Sequence, residues 1–504
     1  MKAGKTTLIL YIIFLWSCNN NEPILYRKSD GLSFIKLHTN NPIINKAFRI
    51  AVGDLFTNVQ DYQIEIFDTI SPVILAGLEY NTPWIRDAAI NCWNAGSFII
   101  PEVASNTLLS TIEFKNDSFI IQKDSQYWDA IIWCTGAWSH YLATGNRQFL
   151  EIAYEVTRNS IQFFEKTELN KNYHLFRGLG WSDGVAAYDG KYANTGGSSA
   201  AFDWPKHNPD KRSKPGFGIP MMATYTNCLY YNAYVVAHKM SKELEKGDSN
   251  YKEKAERLKH AINKHLWNKE LGLYKFYFDE EEESNIQSAY GNAFAIIFGV
   301  AEDKQVESIF KKIYVTPAGV PCGWPPLARY HTDSLTFPRH NAAVWPQIQG
   351  FWAQAASMHK KEEILFHELS VLANNAVRDM QFGEIYHPIT GELYGGMQEK
   401  NGEIALWPAM NRQTWSATAY IRMVLYGLLG IELDENGINF SPCVPKDLNE
   451  IVLSNLKYRN MIIQVKVLGA GTNIEKIFID GKSSVNPTVP NTLRGNHSIE
   501  IFVN

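Results

Sequence analysis

The residues best suited to chemistry in this chain are acids set among aromatic and turn-forming neighbours. Asp183 lies in Gly178-Leu-Gly-Trp-Ser-Asp-Gly-Val-Ala-Ala-Tyr188. Ser-Asp-Gly is a good turn signal, so a plain turn aspartate is the simpler reading. Against it, the neighbouring Trp181 could desolvate the carboxyl and favour its protonated form, as a general acid requires. Glu384 lies in Phe382-Gly-Glu-Ile-Tyr-His-Pro-Ile-Thr-Gly391, flanked by Phe382 and Tyr386, with a solvated loop acid as the simpler reading. Glu392, Glu399 and Glu403 are its rivals nearby. Two carboxyls held in different protonation states can act as acid and base on one bond. Arg86 and Asp87 form an adjacent charged pair in Thr82-Pro-Trp-Ile-Arg-Asp-Ala-Ala89. Pro83 starts a helix there, where an aspartate also favours the helix dipole. Further along, Trp407 and Asn411-Arg-Gln-Thr-Trp-Ser416 supply polar and aromatic groups suited to a sugar. His331 and His340 lack metal-ligand spacing, and capping or core packing accounts for them. Trp324, Trp345 and Trp352 read as core.

Apolar periodicity, caps and breakers predict twelve helices that could position these groups. They begin near Pro42, Trp84, Pro101, Ser125, Asn146, Ile219, Ser249, Ser284, Asp303, Asn341, Lys360 and Gln413. The loops between them are very unequal. The longest, about 166–218, carries Asp183, and loops of that length inside a compact domain are usually functional. Short strand-like pieces interrupt the helices at Gln63 to Phe67 and Leu273 to Phe278. After about Gly430 the pattern changes to short β-type runs, among them Met461-Ile-Ile-Gln-Val-Lys-Val467 and Ser498-Ile-Glu-Ile-Phe-Val503. The expected fold is therefore mainly α: an (α/α)6 barrel of about twelve helices, with a small C-terminal antiparallel β domain. An irregular helical array with an appended sandwich is the runner-up.

At 504 residues the chain is long enough for about three domains by the soft rule of ~150 residues each, and it can bury a large core without staples. With 48 Lys and Arg against 52 Asp and Glu, its net charge of −4 leaves no excess cation to neutralise phosphates, which argues against nucleic acid as a partner. Aromatics at 13% suit both a large core and rings on which sugars stack. Gly4-Lys5-Thr6 mimics the end of a phosphate-binding loop but lacks the strand and upstream glycine. Lys2 and Lys5 precede an apolar run from Thr7 to Trp16, too short to span a membrane at ~20 residues. Leu15-Trp16-Ser17-Cys18 resembles a bacterial lipobox. Residues 1–17 are then expected to be a lipoprotein signal peptide, with Cys18 the lipidated residue and 18–40 a tether and lead-in. Domains at 41–430 and 431–504 follow. The other cysteines, at 92, 134, 228, 322 and 443, are isolated and read as buried small apolar residues.

Taken together, the motifs resemble the six-hairpin glycosidases, the α/α-barrel enzymes that include glycoside hydrolase family 63, glucoamylase and the bacterial mannosylglycerate hydrolases. The resemblance covers roughly residues 40–430. Trp84-Ile-Arg-Asp87 is similar to the family's Trp-x-Arg-Asp, Trp181-Ser-Asp183 to its general-acid segment, and Glu384-Ile-Tyr-His-Pro-Ile-Thr-Gly391 with Gln413-Thr-Trp-Ser416 to its general-base segment. The C-terminal β part matches an accessory domain of some members. The polar stretch between Asp183 and Pro220 departs from the pattern and leaves Asp189 and Asp203 as rival acids.

The resemblance implies an exo-acting, inverting glycoside hydrolase with Asp183 as general acid and Glu384 as general base. Inversion needs their carboxyls ~6.5–9.5 Å apart, with a water between them. Trp84, Arg86, Asp87, Trp181, Tyr386 and Trp415 would hold the sugar. No cofactor and no metal are expected. The expected partner is an oligosaccharide or polysaccharide, with the membrane touched only through the Cys18 anchor, in the periplasm or at the outer membrane. A phosphorylase or lyase on the same barrel, and a non-catalytic glycan-binding lipoprotein, are the alternatives.

Overall fold

The computed structural model describes residues 34–121, 127–247 and 250–504. Among them are twelve α-helices of seven or more residues. These are α1 (Pro42–Thr57), α2 (Ile85–Asn91), α3 (Pro101–Leu109), α4 (Ile132–Thr144), α5 (Arg147–Thr167) and α6 (Thr224–Glu243). They continue as α7 (Tyr251–His265), α8 (Ala289–Ile297), α9 (Asp303–Lys312), α10 (Pro346–Met358), α11 (Glu362–Asp379) and α12 (Thr414–Arg422).

The two sets of alternate helices are built differently. Every residue of α2 and α12 is buried, and α4, α8 and α10 each leave a single residue outside the buried class. A helix apolar or small on all sides has to be surrounded by protein. The odd-numbered helices are amphipathic: α5 buries Phe149, Leu150, Ala153, Tyr154, Val156 and Ile161 on one side while Glu151 and Gln162 face solvent. The contacts follow that division. α2 packs on α4, α4 on α6, α6 on α8, α8 on α10, α10 on α12, and α12 returns to α2. The amphipathic helices lie against this succession: α1 on α12, α3 on α2 and α4, α5 on α4 and α6, α7 on α6, and α11 on α10. Phe310 of α9 meets Trp352 of α10 at 5.1 Å.

Local chemistry fixes the ends. Asn41 caps α1 by accepting from the amides of Ile43 and Ile44, ahead of Pro42. Asn146 caps α5 through the Phe149 amide, and Glu302 with Gln305 forms a reciprocal box at α9. Three helices start about five residues later than their periodicity predicts. Met222–Ala223 pairs with Tyr277–Phe278 before α6, Gln287–Ser288 pairs with Gly323–Trp324 before α8, and Val344 bridges Tyr386 before α10. The apolar residues ahead of these helices are thus spent on strand pairing between loops. α4, expected near Ser125, begins at Ile132.

The C-terminal strands form a six-stranded sheet. It comprises β1 (Lys36–Thr39), β2 (Glu450–Tyr458), β3 (Met461–Leu468), β4 (Ile474–Ile479), β5 (Lys482–Ser484) and β6 (Gly495–Val503), in the order β1-β2-β3-β6-β4-β5. Alternation along β3, with Met461, Ile463, Val465 and Val467 buried and Ile462 and Gln464 exposed, gives the sheet one packed face. Two expectations are corrected here. The sheet is mixed, not antiparallel, because β6 inserts beside β3 running parallel to it. Part of the expected lead-in, Lys36–Thr39, is a strand of this sheet, paired with β2.

One cation lies at the centre of the helices. Arg422 is 0% exposed, and Trp93, Phe351 and Tyr426 surround its guanidinium at 4.0, 4.3 and 4.5 Å. It donates to Gln354 at 2.7 Å and to Asn94 at 2.8 Å. Burial pushes its pKa down to about 9, with Tyr426 and Tyr290 acting against that shift. Desolvated cation–π contacts contribute up to ~2 kcal/mol each, enough to offset part of that burial cost. Asn94 belongs to a π turn, Cys92–Gly96, that continues α2, and a second π turn, Met423–Leu428, continues α12. These wider turns lie where the two helices and Arg422 meet.

Cys92, Cys134, Cys228, Cys322 and Cys443 are buried free thiols. Among the described residues no helix is long and apolar enough to cross a membrane. Residues 1–33, with the expected signal segment and Cys18, lie outside the described residues.

Candidate active site

The candidate residues lie in the loops that precede the even-numbered helices or, for Arg86, Asp87 and Trp415, in the first turns of α2 and α12, and these loops are fastened to one another. Gly77 bridges Gln413, and Asn411 donates to Glu79 at 2.8 Å, so the segment leading to α2 runs beside the one leading to α12. The Val344–Tyr386 bridge joins the lead-in of α10 to the Glu384 loop. Gly184 packs so closely on His340 that a Cβ there would lie 2.0 Å from Nδ1. Asp183 is thereby brought beside the Arg339–His340 segment.

Glu384 is 2% exposed and accepts three hydrogen bonds. Arg339 donates from Nη2 at 2.8 Å, the Tyr80 hydroxyl donates at 3.1 Å, and the Met410 amide donates at 3.2 Å. Arg339 is held in turn by the carbonyls of Gly395 (2.7 Å) and Pro408 (3.2 Å), and its guanidinium lies 5.3 Å from the Trp345 ring. Burial first, then the charges of Glu384 and Asp87, holds the Tyr80 phenol above its ordinary pKa, so it is a neutral donor. The loop itself is clamped from α1: Asp54 accepts from the Phe382 amide at 2.7 Å and pairs with Arg412. Burial pushes the Asp54 carboxyl up to about 6 against the pull of Arg412 and that amide. Glu384's rivals stand elsewhere. Glu392 and Glu403 are exposed, and Glu399 is taken up by Tyr330 and Arg329.

Arg86 is buried and pairs through Nε with Asp129 at 2.5 Å, which also accepts from Tyr225 at 3.3 Å. Burial opposes the Arg86 charge, and Asp129, Tyr225 and Asp183 outweigh it and raise its pKa. Asp183 therefore lies within electrostatic range of Arg86. Trp128, next to Asp129, sits 5.6 Å from the Arg86 guanidinium and donates to the Gly180 carbonyl at 2.9 Å, tying Arg86 to the Asp183 loop. Trp84, just before α2, has φ 49°, a conformation that costs an L residue of this size energy and that clusters at functional sites. Asp87 is buried in the first turn of α2.

The Asp183 loop is long but well secured. The Ala201 amide donates to the Asp183 carbonyl at 2.6 Å, Tyr188 donates to the Ser182 carbonyl at 2.7 Å, and Arg329 donates to the Val185 carbonyl at 3.1 Å. The Asp183 side chain is half-buried, and its carboxylate makes no hydrogen bond among the described residues. Its rivals are engaged. Asp189 accepts from Tyr277 at 3.2 Å. Burial acts to raise the Asp203 pKa, but its bonds to Lys206 and Ser198 outweigh that and lower it, the wrong direction for an acid.

Trp181 links the two halves of the site. Its ring lies 5.8 Å from His340 and 5.0 Å from Trp345, and Trp345 lies 5.7 Å from Trp415. Burial first and Arg339 next keep His340 neutral. Tyr386 sits beneath the loop, fully buried, its hydroxyl accepting from the Gly383 amide at 2.9 Å.

The structure thus adds Tyr80, Asp129 and Arg339 to the residues picked from the sequence. Two of them had a readable signal. Trp128-Asp129 repeats the tryptophan-and-acid pattern of Trp181-Ser-Asp183, and Arg339 directly precedes the His340 motif. Tyr80 had none.

Residues 131–416, more than half of the chain, match the family described as the mannosylglycerate hydrolase MGH1-like glycoside hydrolase domain. No curated protein matches the chain by sequence. Among solved structures, a sialidase is similar over 91% of this chain and 42% of its own, at 14% identity and a TM-score of 0.66. A family 78 rhamnosidase of a Bacillus species is similar over 93% of this chain and 44% of its own, at 12% identity and a TM-score of 0.58. The chain thus spans less than half the length of either protein. A family 63 mannosylglycerate hydrolase of Thermus thermophilus, solved with glucose, is covered over 99% of its length by 75% of this chain, at 13% identity and a TM-score of 0.54. At these identities the likeness is one of fold.

Proposed function

The chain belongs to the mannosylglycerate hydrolase MGH1-like glycoside hydrolases, and from that premise we propose that it is a glycosidase, an exported, exo-acting, inverting enzyme whose acid is Asp183 and whose base is Glu384. The succession of even-numbered helices, each against the next and the last against the first, supports reading the helical part as an (α/α)6 barrel.

The contrast between the two carboxyls carries the assignment. Glu384 is paired with Arg339 and receives two further donors, an environment that suits a carboxylate. A base in that state can take a proton from a water attacking the anomeric carbon. Asp183, half-buried beside Trp181 and with no hydrogen bond at its carboxylate among the described residues, has its oxygens available to a glycosidic oxygen. Arg86 and Asp87, with Trp84 and Trp415, would hold the sugar between them. The substrate class is a glycoside with a sugar at a chain end. Mannosylglycerate and rhamnosides, named for the relatives, are the first to try.

The stereochemistry of the first product tests the mechanism. Proton NMR during hydrolysis is expected to show the anomer of inverted configuration before mutarotation. A product that first appears with retained configuration would remove the inverting reading.

Export rests on Lys2, Lys5, the apolar run to Trp16 and the lipobox-like Leu15-Trp16-Ser17-Cys18. Cys18→Ser is expected to move the protein from the membrane fraction to the soluble one. An unchanged distribution would end the lipoprotein assignment.

A further inference from the structure

One concave site is lined by none of the proposed catalytic or sugar-holding residues. It is a cavity of 690 Å³ between α5 and α7, closed on one side by the hairpin of Leu169–Asn170 and Leu175–Phe176. That volume is in the range of small-ligand sites. Its charge is unlike that of the chain. The lining includes Lys166, Lys171, Arg177, Lys254 and Arg257, with His174, against the single carboxylate of Glu165, whereas the chain as a whole carries −4.

The one acid is already spent. Glu165 accepts from Tyr234 at 2.7 Å and pairs with Lys254 at 2.8 Å. Lys166, Lys171, Arg177 and Arg257 therefore have no carboxylate partner among the described residues. Like charges gathered at a concave surface focus a positive potential and draw anions to it. Arg177 can hold a carboxylate or sulfate with two parallel bonds. The wall also presents features that suit a sugar. Asn172, exposed, and Asn170 give polar groups, while Phe176, stacked on Tyr230 at 3.7 Å, and Tyr234 are buried and back the wall.

We infer that this cavity is a second carbohydrate site that takes an acidic oligosaccharide, one bearing carboxylate or sulfate groups. The inference rests on the chain being a glycosidase and not on the roles of Asp183 and Glu384. None of the lining residues belongs to the proposed catalytic machinery, so the site would hold an anionic glycan to the enzyme without taking part in hydrolysis.

The test is equilibrium binding to the full-length protein at low salt with three probes: trigalacturonate, the neutral trigalactoside and inorganic phosphate. Trigalacturonate is expected to bind, the neutral trimer to bind at least ten times more weakly, and phosphate to compete only at much higher concentration. Raising the salt should weaken trigalacturonate steeply. The double variant Lys171→Gln, Arg177→Gln should lose at least tenfold in affinity for trigalacturonate while hydrolysing a neutral substrate at the wild-type rate. Neither side chain bonds another described residue, so the variant is expected to fold. Equal binding of the neutral trimer, undiminished binding by the variant, or no binding of trigalacturonate would each overturn the inference. Phosphate competing at similar concentration would reassign the cavity to a free anion and likewise overturn it.

Discussion

Glu384→Gln is expected to lower turnover by about three orders of magnitude, within the ~10²–10⁴-fold that a positioned general base contributes. Glutamine keeps the volume and can still accept from Tyr80, but it cannot take a proton from water. The same change leaves Arg339, 6% exposed, without its anion. A buried cation that loses its partner can cost ~3–5 kcal/mol of stability. The Gly395 and Pro408 carbonyls retain part of its hydrogen bonding, so a smaller loss is expected here. The activity measurement therefore needs a denaturation curve beside it. A folded variant with near-normal hydrolysis would sink the base assignment, and the loss should fall on kcat more than on KM, because the proton transfer belongs to the transition state.

Asp183→Asn is expected to show a different signature. With a poor leaving group, such as a sugar alcohol, hydrolysis should fall about as far as for the Glu384 variant. With a leaving group that departs without protonation, such as a dinitrophenolate, most of the activity should remain. The reason is that a general acid assists only the departure that needs a proton. Glu384→Gln should lose activity on both substrates alike, since both need the attacking water. Equal losses in the Asp183 variant on the two substrates would remove its role as acid, and Asp189 would be tested next by the same comparison.

Much of this arrangement was readable in the residues. Asp183 and Glu384 stood out because each sits in a short polar turn between aromatic residues. Eight of the twelve helix starts fall within about two residues of their expected positions, because asparagine caps, prolines and apolar periodicity act over a few residues. Other features were not readable. Tyr80 is 304 residues from Glu384 in the chain, and nothing about an isolated tyrosine in Glu-Tyr-Asn predicts that meeting. Tyr386 was expected in the pocket wall. It lies under the loop because its hydroxyl is the partner of the Gly383 amide. The parallel pairing of β3 with β6 depends on where the last strand inserts, which its own alternation does not specify.

The sequence by itself determined the twelve helices and most of their starts, the switch to strands near Gly430, and the residue types available for acid–base chemistry. These follow from side-chain periodicity and local hydrogen bonding, which operate within a turn or two of backbone. Only the tertiary structure decided which acid is paired and which is open. Arg339 reaches Glu384 because a bridge between Val344 and Tyr386 aligns their loops, and Asp54 steadies that loop from a helix 328 residues away. Such meetings are set by packing between distant segments, and a carboxylate's surroundings, hence its chemistry, exist only once those segments are in contact.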